Sequence, residues 1–278
     1  MDYHSDRFRD HSLMFFKTNK LVGVMPANII DDTLHSHSGL TFGGIVSNFD
    51  MKVPLMIELF EALINHCKEE GLKDIVYKAI PYIYHSIPAD EDLYVLFRCN
   101  ATLIARNVSS SIYMPEKIRF EKNRRETIGK GKKNNLIIKT SSDLTSFMKI
   151  VEEVLKERHE ASPVHNIEEL KLLMTRFPDN IKLFASYKDD IMLAGTLMYE
   201  SKNVAHCQYM ANSNKGWTLG ALDTIVDYLI RDYYICKKYF DFGISTEKLG
   251  QVLNTGLIMH KEGFGARAIV YDFYRMSL

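Results

Sequence analysis

The segment VAHCQYMANSNKGWTLGALDTIVDYLI, residues 204–230, decides the fold predicted for this chain. It begins with a β-favouring run over residues 204–210 and passes a glycine-bearing turn at residues 214–216. From about Thr218 an amphipathic helix is predicted, because apolar residues recur at helical spacing on one face. That face consists of Leu219, Leu222, Ile225, Val226, Leu229 and Ile230. The next strand is predicted over residues 239–242.

Upstream of this segment, residues 181–187 and 191–199 flank Asp189 and Asp190 as a predicted hairpin, preceded by helices over 144–155 and 167–177. The first part of the chain has the same order. A hairpin over 13–17 and 21–25 and an extended stretch from 33 to 44 precede a helix from Pro54 to Gly71 and a strand over 74–79. The sequence therefore predicts an α/β (α+β) fold with two similar halves, each a mixed sheet flanked by helices.

A basic segment separates the two halves. We predict an N-terminal domain over residues 1–120, an exposed basic linker helix and strand over 121–140, and a C-terminal domain over 141–278. The cations of the linker region are Lys117, Arg119, Lys122, Arg124, Arg125, Lys130, Lys132 and Lys133. Any function of this helix would be contact with nucleotide or tRNA phosphates.

Composition excludes several classes of protein. Lys plus Arg and Asp plus Glu each number 35 among 278 residues, so no net charge attracts nucleic acid or an anionic membrane. The four cysteines form no C-x-x-C pair, which argues against a zinc ribbon or disulfide framework and favours a reducing cytoplasm. No run approaches the ~18 apolar residues of a membrane span, and the first ten residues are polar, so we expect a soluble, unsecreted protein.

Several sequence blocks carry a family resemblance. In the C-terminal half they are SPVH (162–165), HCQY (206–209), YFDFGISTE (239–247) and, most specific, NTGLIMHKEGFG (254–265). In the N-terminal half the block SHSGLTFGG (36–44) fits more weakly. Together they resemble tandem GNAT-fold acyltransferases of the Fem-like type, a group that includes peptidoglycan-bridge aminoacyltransferases and acyltransferases of surface-polysaccharide pathways.

The resemblance implies two GNAT-like acyl-CoA N-acyltransferase domains in tandem, with acyl-CoA as the expected donor. The first half begins almost at its hairpin, so we expect it to lack the strand and helix that open a GNAT domain. The glycine segment NKGWTLGA (214–221) departs from the usual GNAT pyrophosphate pattern of Gln or Arg, two residues, Gly, one residue, and Gly or Ala. The donor-binding residues predicted there are Gly216, Trp217, Thr218 and Gly220, because glycines allow close backbone approach and a helix N-terminus attracts phosphate.

Acyl transfer to an amine requires a base and stabilisation of the oxyanion that develops. His206 is the predicted base, on a strand face that we expect it to share with Gln208 and Met210. Lys261 is predicted to polarise a carbonyl or bind phosphate, and Asp241 lies at a strand end, where α/β sheets bind ligands. For each of the three a purely structural role stays open.

Further polar residues within the matching blocks are predicted to bind substrate, namely His37, Gln208, Glu247 and Asn254. His35 and His37 share a strand face but have no third ligand nearby, so no metal site is predicted.

Three functions remain open from the sequence. The first is an N-acyltransferase that acts on an amine of a cell-surface glycan precursor, such as a nucleotide-linked amino sugar. The second is a tRNA-dependent, Fem-like aminoacyltransferase that acts on a peptidoglycan precursor. The third is a degenerate GNAT tandem that serves as a binding or scaffold module. The acyl group, the acceptor and the oligomeric state are not determined.

Overall fold

The computed structural model of the chain describes residues 6–159 and 163–278. The elements up to residue 113 are β1 Leu13–Lys17, β2 Lys20–Met25, β3 Asn28–Ile30, β4 Thr33–His35, β5 Val46–Ser47, α1 Val53–Glu69, β6 Asp74–Lys78, α2 Glu91–Arg98 and β7 Thr102–Tyr113. The remaining elements are α3 Lys122–Lys133, β8 Ile137–Ser141, α4 Leu144–His159, α5 Ile167–Arg176, β9 Ile181–Lys188, β10 Ile191–Glu200, β11 Val204–Asn212, α6 Asn214–Leu219, α7 Ala221–Tyr228, β12 Tyr239–Ile244, β13 Thr246–Glu247, β14 Val252–Leu253, α8 Thr255–Glu262 and β15 Arg267–Ser277.

The chain divides into two compact units. The first consists of Met1–Val108, Thr246–Leu253 and Ile269–Leu278, and the second of Ser109–Ser245 and Asn254–Ala268. The division falls inside β7, earlier than the predicted residue 120. The first unit also includes two late segments of the chain, which no local sequence pattern indicated.

The first unit contains two small sheets around one core. The strands β1, β2 and β5 form an antiparallel sheet, and β3, β4, β6 and β15 follow one another in a mixed sheet in which β4 and β6 are parallel. Helix α1 buries the predicted apolar face, including Met56, Leu59, Phe60 and Leu63. Pro54 lies in the first turn of this helix, and Gly71 has a positive φ of 73° just after its end.

The second unit is a mixed sheet in the order β7, β12, β11, β10, β9 and β8, where β7 contributes residues 109–113. Only β11 and β12 are parallel within this order. The core packs the apolar face of α7 against the sheet, and it includes Leu222, Ile225, Val226, Phe240 and Phe264.

The basic segment is a helix, as predicted, but it is not an exposed linker. Helix α3 packs on α7 within the second unit. A Cβ at Gly131 would overlap the Thr224 hydroxyl, and Ile128 is buried. Lys132 pairs with Asp227 at 2.9 Å. The glycine at position 131 lets α3 approach α7 closely, which is a tertiary contact that the basic composition concealed.

The two predicted hairpins and the helices α1, α4 and α5 are confirmed, with small differences at their ends. The strands β7 and β15 and the helices α2 and α8 were not predicted. Across residues 6–159 and 163–278, no helix combines the length and the apolar character that a membrane crossing needs.

Candidate active site

The parallel strands β11 and β12 diverge in the middle of the second unit. They are paired only over three residues, from Val204 with Tyr239 to His206 with Asp241, although β11 continues to Asn212 and β12 to Ile244. Beyond His206 and Asp241 the two strands are no longer neighbours in register. This leaves an opening between the two parallel strands, and His206 and Asp241 lie at its closed end.

A hydrogen-bonded chain of three side chains lies at this point. His206 Nδ1 is 2.7 Å from Asp241 Oδ2, and Ser109 Oγ donates to Asp241 Oδ1 at 2.6 Å. Asp241 and Ser109 are fully buried, whereas 13% of the His206 side chain is exposed. An ionised carboxylate only accepts hydrogen bonds, so when Asp241 is ionised Nδ1 donates to it, and the lone pair of a neutral imidazole in that tautomer is on Nε2.

Lys261 lies close to the same strand end. Its Nζ donates to the carbonyl oxygens of Gly243 and Ile244, both at 2.8 Å, which fixes α8 to the end of β12. The residue is 3% exposed, and burial lowers the pKa of its ammonium to about 8, against an opposing effect of Asp241. The observed contacts of Lys261 are structural, and its predicted catalytic role stays a prediction.

A cavity of about 410 Å³ lies beside the C-terminal end of β11. Its walls come from α4, β11, α6, α7 and the first turns of α8, and they are mainly apolar. The lining residues are Val154, Met210, Ala211, Asn212, Trp217, Leu222, Asn254, Gly256, Leu257 and His260. An apolar cavity with a few polar groups has the character of a small-molecule site.

The predicted donor loop is a helix. Helix α6 begins at Asn214 rather than near Thr218, because the Ser213 side chain caps it by accepting from the Gly216 N–H at 3.0 Å. Thr218 is exposed and donates back to the Asn214 carbonyl at 3.2 Å. Trp217 is 55% exposed and belongs to the cavity wall.

The two glycines of this segment are explained by packing. A Cβ at Gly216 would overlap Asn212 and the Leu193 carbonyl, and a Cβ at Gly220 would overlap the Thr127 carbonyl. Gly220 has a left-handed φ of 77° and divides the predicted single helix into α6 and α7. The Gly216 N–H is already bonded to the Ser213 side chain, and the binding of a donor by this segment stays a prediction.

A β-bulge changes the expected face of side chains along β11. Cys207 pairs with Met198 and Tyr209 with Leu197, so Gln208 is an extra residue between the two pairs. Side chains directly opposite each other share a face, which places His206 with Tyr209 and places Met210 with Cys207. The prediction that His206, Gln208 and Met210 share one face is therefore wrong.

The other predicted substrate residues have diverse environments. Asn254 caps α8 by accepting from the Leu257 N–H at 3.0 Å, and it also lines the cavity. His37 and Glu247 belong to the first unit. His37 is buried, and its Nδ1 accepts from the Gly39 N–H at 3.2 Å, whereas Glu247 is exposed.

Tyr209, of the sequence block 206–209, contacts His165, of the block 162–165. Its hydroxyl is 2.9 Å from His165 Nδ1 and accepts from the His165 N–H at 3.2 Å, and burial raises the pKa of the phenol. Ser162, at the start of the upstream block, lies outside the described residues.

Sequence reasoning missed a second polar cluster at the cavity wall. The buried Asp223 accepts from Arg124 Nη1 at 2.9 Å, and its other oxygen is 3.5 Å from Nε2 of His260. Asp223 and Asp227 are one turn apart on α7, a helix whose other residues are mostly apolar, and that spacing was the available signal. Ser109 was also missed, because nothing in its local sequence indicates a partner at position 241. Among the described residues, no group of three or more His, Cys, Asp or Glu side chains could hold a metal ion.

Comparison with known proteins finds one matching family model and several similar folds. Residues 118–249 match the family model described as an acetyltransferase (GNAT) domain. The chain is similar to the crystal structure of FemX, with a TM-score of 0.70, 11% sequence identity, and coverage of 99% of this chain and 90% of that chain. No curated protein sequence matches the chain significantly.

Two further solved structures share the fold. L-PGS from Bacillus licheniformis has a TM-score of 0.66 at 11% identity, covering 95% of this chain and 83% of that one. The C-terminal domain of a putative lysylphosphatidylglycerol synthetase from Agrobacterium fabrum has a TM-score of 0.59 at 12% identity, covering 99% and 89%. Residues 118–249 are therefore similar to a GNAT acetyltransferase domain. The fold of the chain is the Fem-like tandem GNAT fold that the sequence predicted.

Proposed function

We propose that this protein is an N-acyltransferase that moves an acyl group from acyl-CoA to an amine of a cell-surface glycan precursor. The observation that carries the proposal is the His206–Asp241 pair at the point where β11 and β12 diverge, within a GNAT domain. The apolar cavity beside the end of β11 supports it, because that cavity offers the donor an apolar enclosure.

In this proposal the acceptor nitrogen attacks the thioester carbonyl, a C–N bond forms, and the C–S bond breaks. His206 Nε2 takes the proton that the amine loses and returns it to the departing thiolate. Asp241 holds the imidazole in the required tautomer, which is the role of the group that orients the general base in catalytic triads. A general base of this kind contributes roughly 10²–10⁴ in rate.

The test measures thiol release from acetyl-CoA in the presence of a panel of amino sugars and their nucleotide-linked forms. We expect release that depends on the amine, and a loss of about 10² or more in kcat/KM for His206→Gln. His66→Gln is the matched control, because His66 belongs to α1 of the first unit and contacts His11. No thiol release with any amine, together with no heat of acetyl-CoA binding by calorimetry, would reject acyl-CoA as donor.

One observation favours the second function, a tRNA-dependent aminoacyltransferase. Helix α3 carries the exposed cations Arg125, Lys130 and Lys133, and no ion pair of these three occurs among the described residues. Such a face suits a phosphate backbone. The fold is also shared with FemX and with the C-terminal domain of a putative lysylphosphatidylglycerol synthetase, whose name gives lysylphosphatidylglycerol as its product.

The two donors are distinguished by binding. If aminoacyl-tRNA is the donor, its affinity should fall steeply with salt, and replacing all three cations with Gln should flatten that dependence. Binding of acetyl-CoA should be insensitive to the same triple variant. If neither donor binds, the remaining function is that of a non-catalytic binding module.

A further inference from the structure

The first unit contains a cavity of about 230 Å³ that none of the residues proposed for acyl transfer line. Its walls come from β5 and the residues beside it, from α1, from the segment between β6 and α2, and from the first turn of α2. Most of this wall is apolar, with Ile45, Met56, Ile80 and Ile87 among its residues. The volume holds roughly seven groups of the size of a water molecule.

The carboxylate of Asp92 belongs to this wall and is 8% exposed. Asp92 Oδ2 accepts from the Tyr77 hydroxyl at 2.7 Å, and Oδ1 accepts from the Leu93 N–H at 2.8 Å. Both donors are neutral. Within residues 6–159 and 163–278, no ion pair includes Asp92. A buried carboxylate is normally paired with a cation, so its negative charge here lacks the usual compensation.

The carboxylate is held in a fixed position. Tyr77 is fully buried, and its hydroxyl accepts from the Ile45 N–H at 2.9 Å while it donates to Asp92. Gly44, with a φ of 80°, allows this approach, since a Cβ there would be 2.8 Å from the Tyr77 hydroxyl oxygen. The Ile45 N–H, the Tyr77 hydroxyl and the Asp92 carboxylate therefore form a chain of hydrogen bonds that ends at the cavity wall. Such a chain fixes the carboxylate in place before any ligand binds.

Apolar and aromatic side chains line the cavity beside Asp92. Phe49 and Ile87 line the cavity and are 73% and 53% exposed, so their apolar surface is available at its mouth. Tyr84 adds an aromatic ring, and His85 also lines the cavity and lowers the pKa of Asp92 electrostatically. Burial, the larger effect, raises the pKa of Asp92. A cation placed in the cavity would offset that cost.

We propose that this cavity is a binding site for an organic cation, a primary ammonium group on a short apolar body. The ammonium pairs with the Asp92 carboxylate, and the apolar body packs against Phe49, Tyr84 and Ile87. The acyl acceptor of the proposed reaction belongs to the same chemical class, but the site is defined by binding alone and does not depend on catalysis.

The experiment compares three probes of equal length by calorimetry on the full chain near pH 8, where an alkylammonium remains charged. Hexylamine should bind at least about ten-fold more tightly than hexanol, and hexanoate should bind most weakly. Asp92→Asn should remove the preference for hexylamine. Asp90→Asn is the matched control, because it removes the same charge from an exposed side chain two residues away and should keep the preference.

A second variant guards against a folding defect in Asp92→Asn. Phe49→Ala changes an exposed side chain, and it should lower the binding affinities for hexylamine and for hexanol by a similar factor. The proposal is overturned if hexanol binds as tightly as hexylamine, if no probe binds at millimolar concentration, or if a folded Asp92→Asn variant still prefers the amine.

Discussion

His206 and Asp241 are register partners on two parallel strands that separate directly after them, and their side chains are joined by a 2.7 Å Nδ1–Oδ2 hydrogen bond. The strand pairing fixes the distance between the two Cα atoms, and the buried carboxylate fixes the ring. The imidazole, part of a side chain that is 13% exposed, is thereby held at the closed end of the opening between the strands.

Asp241→Asn should lower kcat by about 10² or more, because an amide does not hold the imidazole in the tautomer with its lone pair on Nε2. Burial of an imperfectly paired amide should also lower the free energy of unfolding by about 1–3 kcal/mol. Steady-state thiol release and urea unfolding measure the two effects. Ser109→Ala removes the other hydrogen bond to Asp241, so a comparable loss of kcat there would assign the effect to the buried carboxylate and not to the histidine tautomer.

Trp217 should report directly on the cavity, because it is the sole tryptophan of the sequence and lines that cavity. We expect acyl-CoA to change its fluorescence saturably. Trp217→Ala should raise KM for acyl-CoA roughly ten-fold with little change in kcat, because the side chain covers the donor without touching the reacting atoms. A lower KM in the variant would show instead that the ring obstructs the cavity.

Lys261 should make stability depend on pH in the alkaline range. Burial lowers its pKa in the folded state from 10.5 to about 8, so between these values the unfolded chain binds more protons and the free energy of unfolding rises with pH. The contribution of Lys261 to the free energy of unfolding is fully present above 10.5, the pKa in the unfolded chain. It is lost as the pH falls through about 8, the pKa in the folded protein. Relative to Lys261→Met, the wild type should gain roughly 3 kcal/mol from near pH 7 to pH 10.5.

Urea unfolding of both proteins across that range measures the difference. The comparison cancels the contribution of Lys78, which is also buried and also has a pKa lowered to about 8. Parallel stability curves for wild type and Lys261→Met would contradict the prediction.

Two glycines of helix α3 should respond oppositely to alanine. Gly129→Ala meets no atom within 4 Å and should stabilise the protein by about 1 kcal/mol through helix propensity. Gly131→Ala would overlap the Thr224 hydroxyl, so it should destabilise by about 1–3 kcal/mol. Thermal unfolding of the pair tests whether α3 packs on α7 in solution. Equal stabilisation by both substitutions would mean that α3 is the exposed linker expected from its composition.

Local patterns predicted the two hairpins and most of the longer helices of the two units. The apolar spacing along α1 and α7 and the two-residue turns of the hairpins specify those elements, because helix and strand periodicity act over a few residues. His206, Asp241 and Lys261, each from one of the matching sequence blocks, all lie in the second unit, which contains the candidate site. The glycines at 216 and 220 allow close packing contacts, and their predicted role in donor binding stays a prediction, since a glycine that allows such a contact has the same sequence signature as one that allows phosphate binding.

The sequence by itself determined the α/β class, the two-part order of elements, and His206 and Asp241 as candidates. Only the tertiary structure decided that these two side chains are bonded, that Ser109 completes the chain of hydrogen bonds, and that a bulge at Gln208 turns Met210 to the opposite face. These features depend on which strands become neighbours and in what register. Pairing between residues far apart in the chain is set by the packing of the whole sheet, and a local pattern contains no information about it.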